Sequence, residues 1–250
     1  MAGQRRHSYR RRRGRVNFLN KLLFILPVAL IVFAITLFFR IEKFTVNGNE
    51  IYTKEKIVEA SGIENGRNLF LMNKYAAAQD IFQTLPYVEE VSIHRALPDT
   101  IVIDIQECKG DAAVRTKDGK WWLFSAGGRV LEACKTQPNC ILIKGVTAEK
   151  PKACETLSFG EKDAGKCEAL IGFLSEARDR GIIAGINAVD VSSNSVVSFT
   201  YLNRFTVRIP WTADFSYKIK TLSAVTDSLE ANEVGVIDLT SDGKASFIPA

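Results

Sequence analysis

Imidazole is almost absent from this chain. Two histidines occur in 250 residues, His7 and His94. His7 lies in an arginine-rich N-terminus, and His94 follows Ile93 on what reads as the polar face of a strand. The sequence also lacks G-x-S-x-G, H-E-x-x-H, a Walker A loop and G-x-G-x-x-G, the motifs of serine hydrolases, zincins, P-loop enzymes and dinucleotide oxidoreductases. A membrane-anchored Ser–Lys peptidase needs no histidine and stays open as an alternative. Five cysteines are present without a C-x-x-C pair, which argues against a zinc ribbon. No metal or cofactor is implied. Hydrophobic residues at 46% and charged residues at 24% exclude a disordered or collagen-like chain. The length allows one large domain or two small ones.

Acid is missing from residues 1–21. That stretch carries eight cations, among them Arg10, Arg11, Arg12, Arg13, Arg15 and Lys21. The whole-chain charge of +5 invites a nucleic-acid reading. The remaining 229 residues, however, hold 25 cations against 28 acids, a net −3. Little aromatic interleaving accompanies the arginines, so no nucleic-acid partner is expected. Charge is then absent altogether from Leu22 to Phe39, where 14 of 18 residues are Leu, Ile, Phe or Val. As a helix this run spans roughly 27 Å, close to the hydrocarbon thickness of a bilayer. Its insertion is worth on the order of −6 kcal/mol before the cost of Pro27. It is longer than a signal-peptide core and lacks an A-x-A exit, so an uncleaved anchor is expected over 22–39. Cation asymmetry places the tail 1–21 in the cytoplasm against anionic lipid, and residues 40–250 outside, as a single-pass cell-membrane protein.

Beyond the run, Phe44–Asn49 reads as a strand ending at an Asn-Gly turn. Thr53 is expected to cap a helix with Ile57, Val58 and Ala60 inward, closed by Ser61-Gly62. Asn73 caps a second helix, on which Tyr75, Ala78, Ile81, Phe82 and Leu85 recur at helical spacing before Pro86. Val88, Val91 and Ile93 lead a strand, Pro98-Asp99 turn, and Ile101, Ile103 and Ile105 alternate with polar positions in another. The expected order is β-α-α-β-β.

The stretches F-T-V-N-G-N, I-V-E-A-S-G-I, N-L-F and V-x-x-V-x-I-x-R-x-L-P-x-T-I-x-I-x-I-x-E resemble a POTRA domain. They are most similar to the membrane-adjacent POTRA domain of the bacterial FtsQ/DivIB cell-division family. The resemblance implies a tail (1–21), an anchor (22–39), a POTRA domain (41–109) and a β-domain (110–250). Within the last, Trp121–Phe124 and the I-D-L ending at Asp238-Leu239 fit the family, with helices expected over 163–180 and from Trp211 to about Glu230. Residues 134–168 carry no pattern and read as an insertion or variable region. The fold class is therefore α+β: one transmembrane helix, a POTRA domain, and a mixed, mostly antiparallel β-domain with two helices.

The resemblance also implies function. The family is non-catalytic. It recruits single-pass coiled-coil division proteins of the FtsL and FtsB/DivIC types, with other divisome proteins at the septum, and helps regulate septal peptidoglycan synthesis. The partner adds a strand to the last strand of the β-domain. The matching positions are Thr240, Ser241, Gly243, Lys244, Ala245, Ser246, Phe247 and Ile248, with Lys244, Ser246 and Ile248 on one face and Ala245 and Phe247 on the other. Ser246→Pro is expected to remove a donor from that strand. The strand near Phe44–Asn49 is a second candidate edge. An exterior location permits disulfides Cys134–Cys140 and Cys154–Cys167 without requiring them, leaving Cys108 free. A POTRA-type transport or chaperone module is the other alternative, although no downstream barrel follows.

Overall fold

The computed structural model describes residues 38–241 and 243–250, together with 23, 25–31 and 33–35. Arg10, Arg11, Arg12, Arg13, Arg15 and Lys21 lie outside the described residues, as does part of the 22–39 run. Residues 25–31 and 33–35 are helical and exposed. Among the described residues, no helix is long and apolar enough to cross a membrane.

The fold is α+β, with two sheets and two separate cores. The first sheet holds β1 (Lys43–Asn47), β2 (Val88–Ala96) and β3 (Thr100–Glu107) in the order β1-β3-β2. β3 runs parallel to β1 and antiparallel to β2. Its alternation works as expected: Ile101, Ile103 and Ile105 are buried under α1 (Lys54–Ala60) and α2 (Lys74–Thr84). The Thr53 hydroxyl caps α1 through the Lys56 amide, and the Asn73 side-chain oxygen caps α2 through the Tyr75 and Ala76 amides. The apolar stripe of α2 differs from the expected one. Ala77 and Ile81 are buried, while Tyr75 is 76% exposed beside the Lys74 ammonium. Phe82 is exposed on one side and covered by a guanidinium on the other.

The polar letters of the strand-turn-strand motif are structural. Arg95 donates to the carbonyls of Leu69 (2.7 Å) and Met72 (2.8 Å), fixing the link between the helices. Asp99 accepts from Lys43 at 3.0 Å and from the Thr100 hydroxyl at 2.7 Å. Glu107 accepts the amides of Glu50, Ile51 and Tyr52, tying the turn after β1 to the end of β3. Within that turn, Gly48 sits at φ +79°, and a Cβ there would lie 2.1 Å from the Ile105 carbonyl oxygen. Gly48→Ala is therefore expected to cost about 2 kcal/mol or more, read as a lowered urea midpoint.

The second sheet has nine strands: β4 (Ala112–Arg115), β5 (Trp121–Phe124), β6 (Val130–Cys134), β7 (Ile141–Lys144), β8 (Ile186–Asp190), β9 (Val196–Tyr201), β10 (Phe205–Pro210), β11 (Gly235–Asp238) and β12 (Ser246–Pro249). Their order is β12-β11-β10-β9-β8-β7-β4-β5-β6. The pairs β4–β7, β7–β8 and β10–β11 are parallel and the rest antiparallel. α3 (Ala164–Asp179) and α4 (Phe215–Ser228) pack against it, with Phe173 against Phe199 and Phe215. Residues 134–168, patternless in sequence, hold β7, which joins the two halves of the sheet. They also send Ala148, Leu157 and Phe159 into the core.

All five cysteines are free thiols, so neither Cys134–Cys140 nor Cys154–Cys167 is joined. Cys167 is turned into the core, its thiol on the Leu157 carbonyl at 3.2 Å. Burial pushes the Cys140 and Cys167 thiols up to about 11, which leaves them protonated and unreactive at neutral pH.

A polar seam joins the two units. Arg178 of α3 grips Glu89 of β2 through two nitrogens, and the Tyr87 hydroxyl donates to Glu132 at 2.9 Å. Arg129, 8% exposed and just ahead of β6, reaches the far end of α2. Its guanidinium donates to the carbonyls of Phe82, Leu85, Pro86 and Cys154.

Candidate partner-binding edge

A nine-stranded open sheet has two edges, and this one treats them differently. At β6 the chain covers itself. The Val130 amide donates to Glu155, the Cys154 amide to Val130, and the Leu157 amide to Gly128. At the other end, β12 pairs only with β11, in the register Asp238↔Ser246, Ile237↔Phe247, Val236↔Ile248 and Gly235↔Pro249. Its outer side is bare among the described residues, which leaves backbone groups open to another strand.

The direction of those groups follows from the neighbouring bonds. The Gly235 amide donates to Arg204 (3.3 Å) and the Leu239 amide to Arg208 (3.0 Å), so alternate residues of β11 face β10. Val236 and Asp238 then face β12, and the Ala250 amide continues that series onto Val234 at 2.9 Å. Ile248 and Ser246 are thereby spent on β11, whereas Phe247 and Pro249 present their backbones outward. Pro249 has no N–H, so the Phe247 amide is the one outward donor of β12. For Ser246→Pro this fixes which donor is lost: the Ser246 N–H points into the sheet, and proline there breaks β12 away from β11.

The sequence-derived positions fall into two groups. Thr240, Ser241, Gly243, Lys244 and Ala245 form the connection, with Gly243 at φ +66°. Ser246, Phe247 and Ile248 lie in the strand, which starts two residues after Lys244, the first position expected on its faces. The two-face alternation therefore applies only from Ser246 onward. Phe247 turns its ring to the core, 6.1 Å from Phe205, and Ile248 is 56% exposed on the opposite face.

Two supports were not legible as such. Lys218 of α4 is buried and donates its ammonium to the Ser241 carbonyl at 2.9 Å, pinning the connection from beneath. Asp238 accepts both the Thr240 hydroxyl (2.6 Å) and the Thr240 amide (2.8 Å). The Thr240 hydroxyl first, then its amide and the Arg208 and Lys218 cations, hold the Asp238 carboxyl below its usual range. A depressed carboxylate contributes stability above the ordinary carboxylate range and loses it as pH falls through its own value. Acidification thus loosens this connection. Gly235 is the third device. A Cβ there would sit 2.2 Å from the Ile248 carbonyl oxygen and 2.9 Å from the Phe247 ring. Gly235→Ala is expected to lift β12 from the sheet. Hydrogen exchange at the Ile248 amide should rise about tenfold or more while amides of β9 keep their protection.

The second candidate edge, β1, is also open among the described residues, where it pairs only with β3. A groove of about 780 Å³ runs between it and α1, lined by Phe44, Thr45, Val58 and Glu59. His94 is exposed and lies 3.2 Å from Asp104.

Residues 39–107, the whole first sheet with its helices, match the family described as POTRA domain, FtsQ-type. Relatives align across both sheets. Cell division protein DivIB of Clostridium botulinum (strain Hall) is 28% identical over 237 residues, covering 91% of this chain and 90% of that protein. DivIB of Bacillus subtilis (strain 168) is 25% identical over 220 residues, covering 87% and 78%. Cell division protein FtsQ of Corynebacterium glutamicum is 34% identical over 77 residues, about a third of each chain. A POTRA unit fixed to a large sheet, with relatives of these names, defines a bacterial cell-division protein. Residues 39–107 match the FtsQ-type POTRA model, and over most of its length the chain is similar to proteins of the FtsQ/DivIB family.

Proposed function

We propose that the chain is a non-catalytic, membrane-anchored scaffold of the division septum. The 22–39 run anchors it, the tail 1–21 stays in the cytoplasm, and residues 41–109 and 110–250 form the POTRA domain and the β-domain outside. The β-domain recruits FtsL-type and FtsB/DivIC-type partners by accepting a strand along β12, and through them helps regulate septal peptidoglycan synthesis. The asymmetry of the sheet carries this reading: its β6 edge is covered by residues 154–157, while its β12 edge is open and buttressed by Lys218. A bare edge offers main-chain hydrogen bonds for affinity and side-chain positions for choice of partner. The shortness of β12, and Pro249 within it, limit indiscriminate pairing.

Removal of residues 246–250 tests it. The truncated chain is expected to lose about 100-fold or more in affinity for an FtsL/DivIC-type pair. It should stay folded, because β11 keeps its pairing with β10. A truncated, folded chain that still co-purifies with the pair would sink the proposal. A fluorescent fusion should form a midcell band.

A further inference from the structure

One end of the POTRA unit displays apolar side chains that its own fold does not cover. Phe38, Phe70, Leu71 and Leu97 are all exposed there, Leu71 at 81%. They are held firmly. The link 66–71 pairs with residues 39–41: the Ile41 amide donates to Arg67 (2.9 Å), Gly66 to Ile41 (2.8 Å) and Leu69 to Phe39 (2.9 Å). The Asn68 side-chain oxygen accepts from Phe70 and Leu71, Arg95 holds the Leu69 and Met72 carbonyls, and Leu69 itself is fully buried. Phe70 stacks edge-on against Phe39 at 5.1 Å. The turn carrying Leu97 lies alongside, because Asp99 accepts the amides of Glu42 and Lys43. Phe70 and Leu71 are thus presented by a fixed backbone.

Two observations say what covers them. The 22–39 apolar run joins the domain at this end, through Phe39 and Arg40. The second sheet sits at the other end, since α2 starts beside the link and ends roughly 16 Å away at the Arg129 seat. Among the described residues Arg40 and Lys74, at the rim, have no carboxylate partner, while Arg67 and Lys43 are paired with Glu64 and Asp99.

We infer that this end of the POTRA unit rests on the lipid bilayer, with Phe70 and Leu71 seated at the headgroup–acyl boundary and Arg40 and Lys74 facing lipid phosphates. Aromatic and aliphatic side chains favour that depth, and basic residues beside them reach outward to the headgroups. The contact rests on the anchor reading above. It holds the domain upright, so that the β12 edge stands away from the membrane surface at a set orientation.

The test uses the full chain reconstituted in vesicles of phosphatidylethanolamine and phosphatidylglycerol brominated high on the acyl chains. All three native tryptophans lie in the second sheet or its loops, at Trp121, Trp122 and Trp211. In F70W the added emission is expected to be quenched by about half, as for an indole at the interface. In Y217W, at an exposed position of α4, the added emission should be unquenched. A chain that floats with the vesicles but shows no more quenching in F70W than in Y217W overturns the contact and leaves the anchor standing. A chain that fails to float overturns both. Far-ultraviolet circular dichroism, which follows both sheets, reports that each variant is folded.

Discussion

Arg129→Ala is expected to lower the unfolding free energy by about 3 kcal/mol and to split one urea transition into two. Among the described residues the buried guanidinium makes no ion pair with a carboxylate. Its partners are four backbone carbonyls and the Phe82 ring, 3.8 Å below its plane. Three of those carbonyls, on Phe82, Leu85 and Pro86, belong to the C-terminal end of α2, where the helix leaves acceptors unsatisfied and a partial negative charge. The last turn of α2 contains no basic residue of its own, so the second sheet supplies the cation. Truncation to alanine strands several acceptors in a closed seam and removes the strongest link between the units. Of the polar side-chain links between the units among the described residues, Arg178–Glu89 and Tyr87–Glu132 would remain, both partly open to solvent. Tryptophan fluorescence follows the second sheet alone, and far-ultraviolet dichroism follows both. The two probes should coincide in the parent chain and separate in R129A. Arg129→Lys should recover little, because one ammonium cannot span carbonyls set for a planar fork. A loss below about 0.5 kcal/mol, the range of an ordinary surface change, would remove Arg129 from this role.

Arg129 and Lys218 also mark where sequence reasoning stops. Ile101, Ile103 and Ile105 declare their strand by alternation, and Thr53 and Asn73 declare helix starts by chemistry acting within three residues. Those signals are local. Arg129 is buried because carbonyls more than 40 residues upstream converge on it, and Lys218 because Ser241 folds over it. Nothing within a few residues of either distinguishes it from a solvated cation. β7 is hidden for the same reason: its four residues become a strand through parallel contacts with Ala112 and Ala113 on one side and Ala188 to Asp190 on the other. The edge at β12 was legible as a place, from the I-D-L ending and the resemblance it carries. The direction of its amides was not, because that depends on which residues of β11 are already taken by β10.

That direction gives the second large expectation. Phe247→Pro should bind the FtsL/DivIC-type pair about tenfold more weakly than Phe247→Ala. Both variants lose the ring that packs on Phe205, so their difference isolates the outward N–H. Proline is tolerated there because the N–H it removes has no partner among the described residues, as at other sheet edges. Ser246→Pro differs in kind. It removes a donor to Asp238, so exchange at the Ile248 amide should rise with the loss of binding, whereas in F247P that amide stays protected. Equal affinity of F247A and F247P would show that the partner takes no hydrogen bond from β12, and strand addition would fall. If the tenfold difference appears, Pro249 acquires a role too. By withholding the next outward amide, it leaves the incoming strand one donor to meet on β12, and a single donor at Phe247 fixes the register in which the partner pairs.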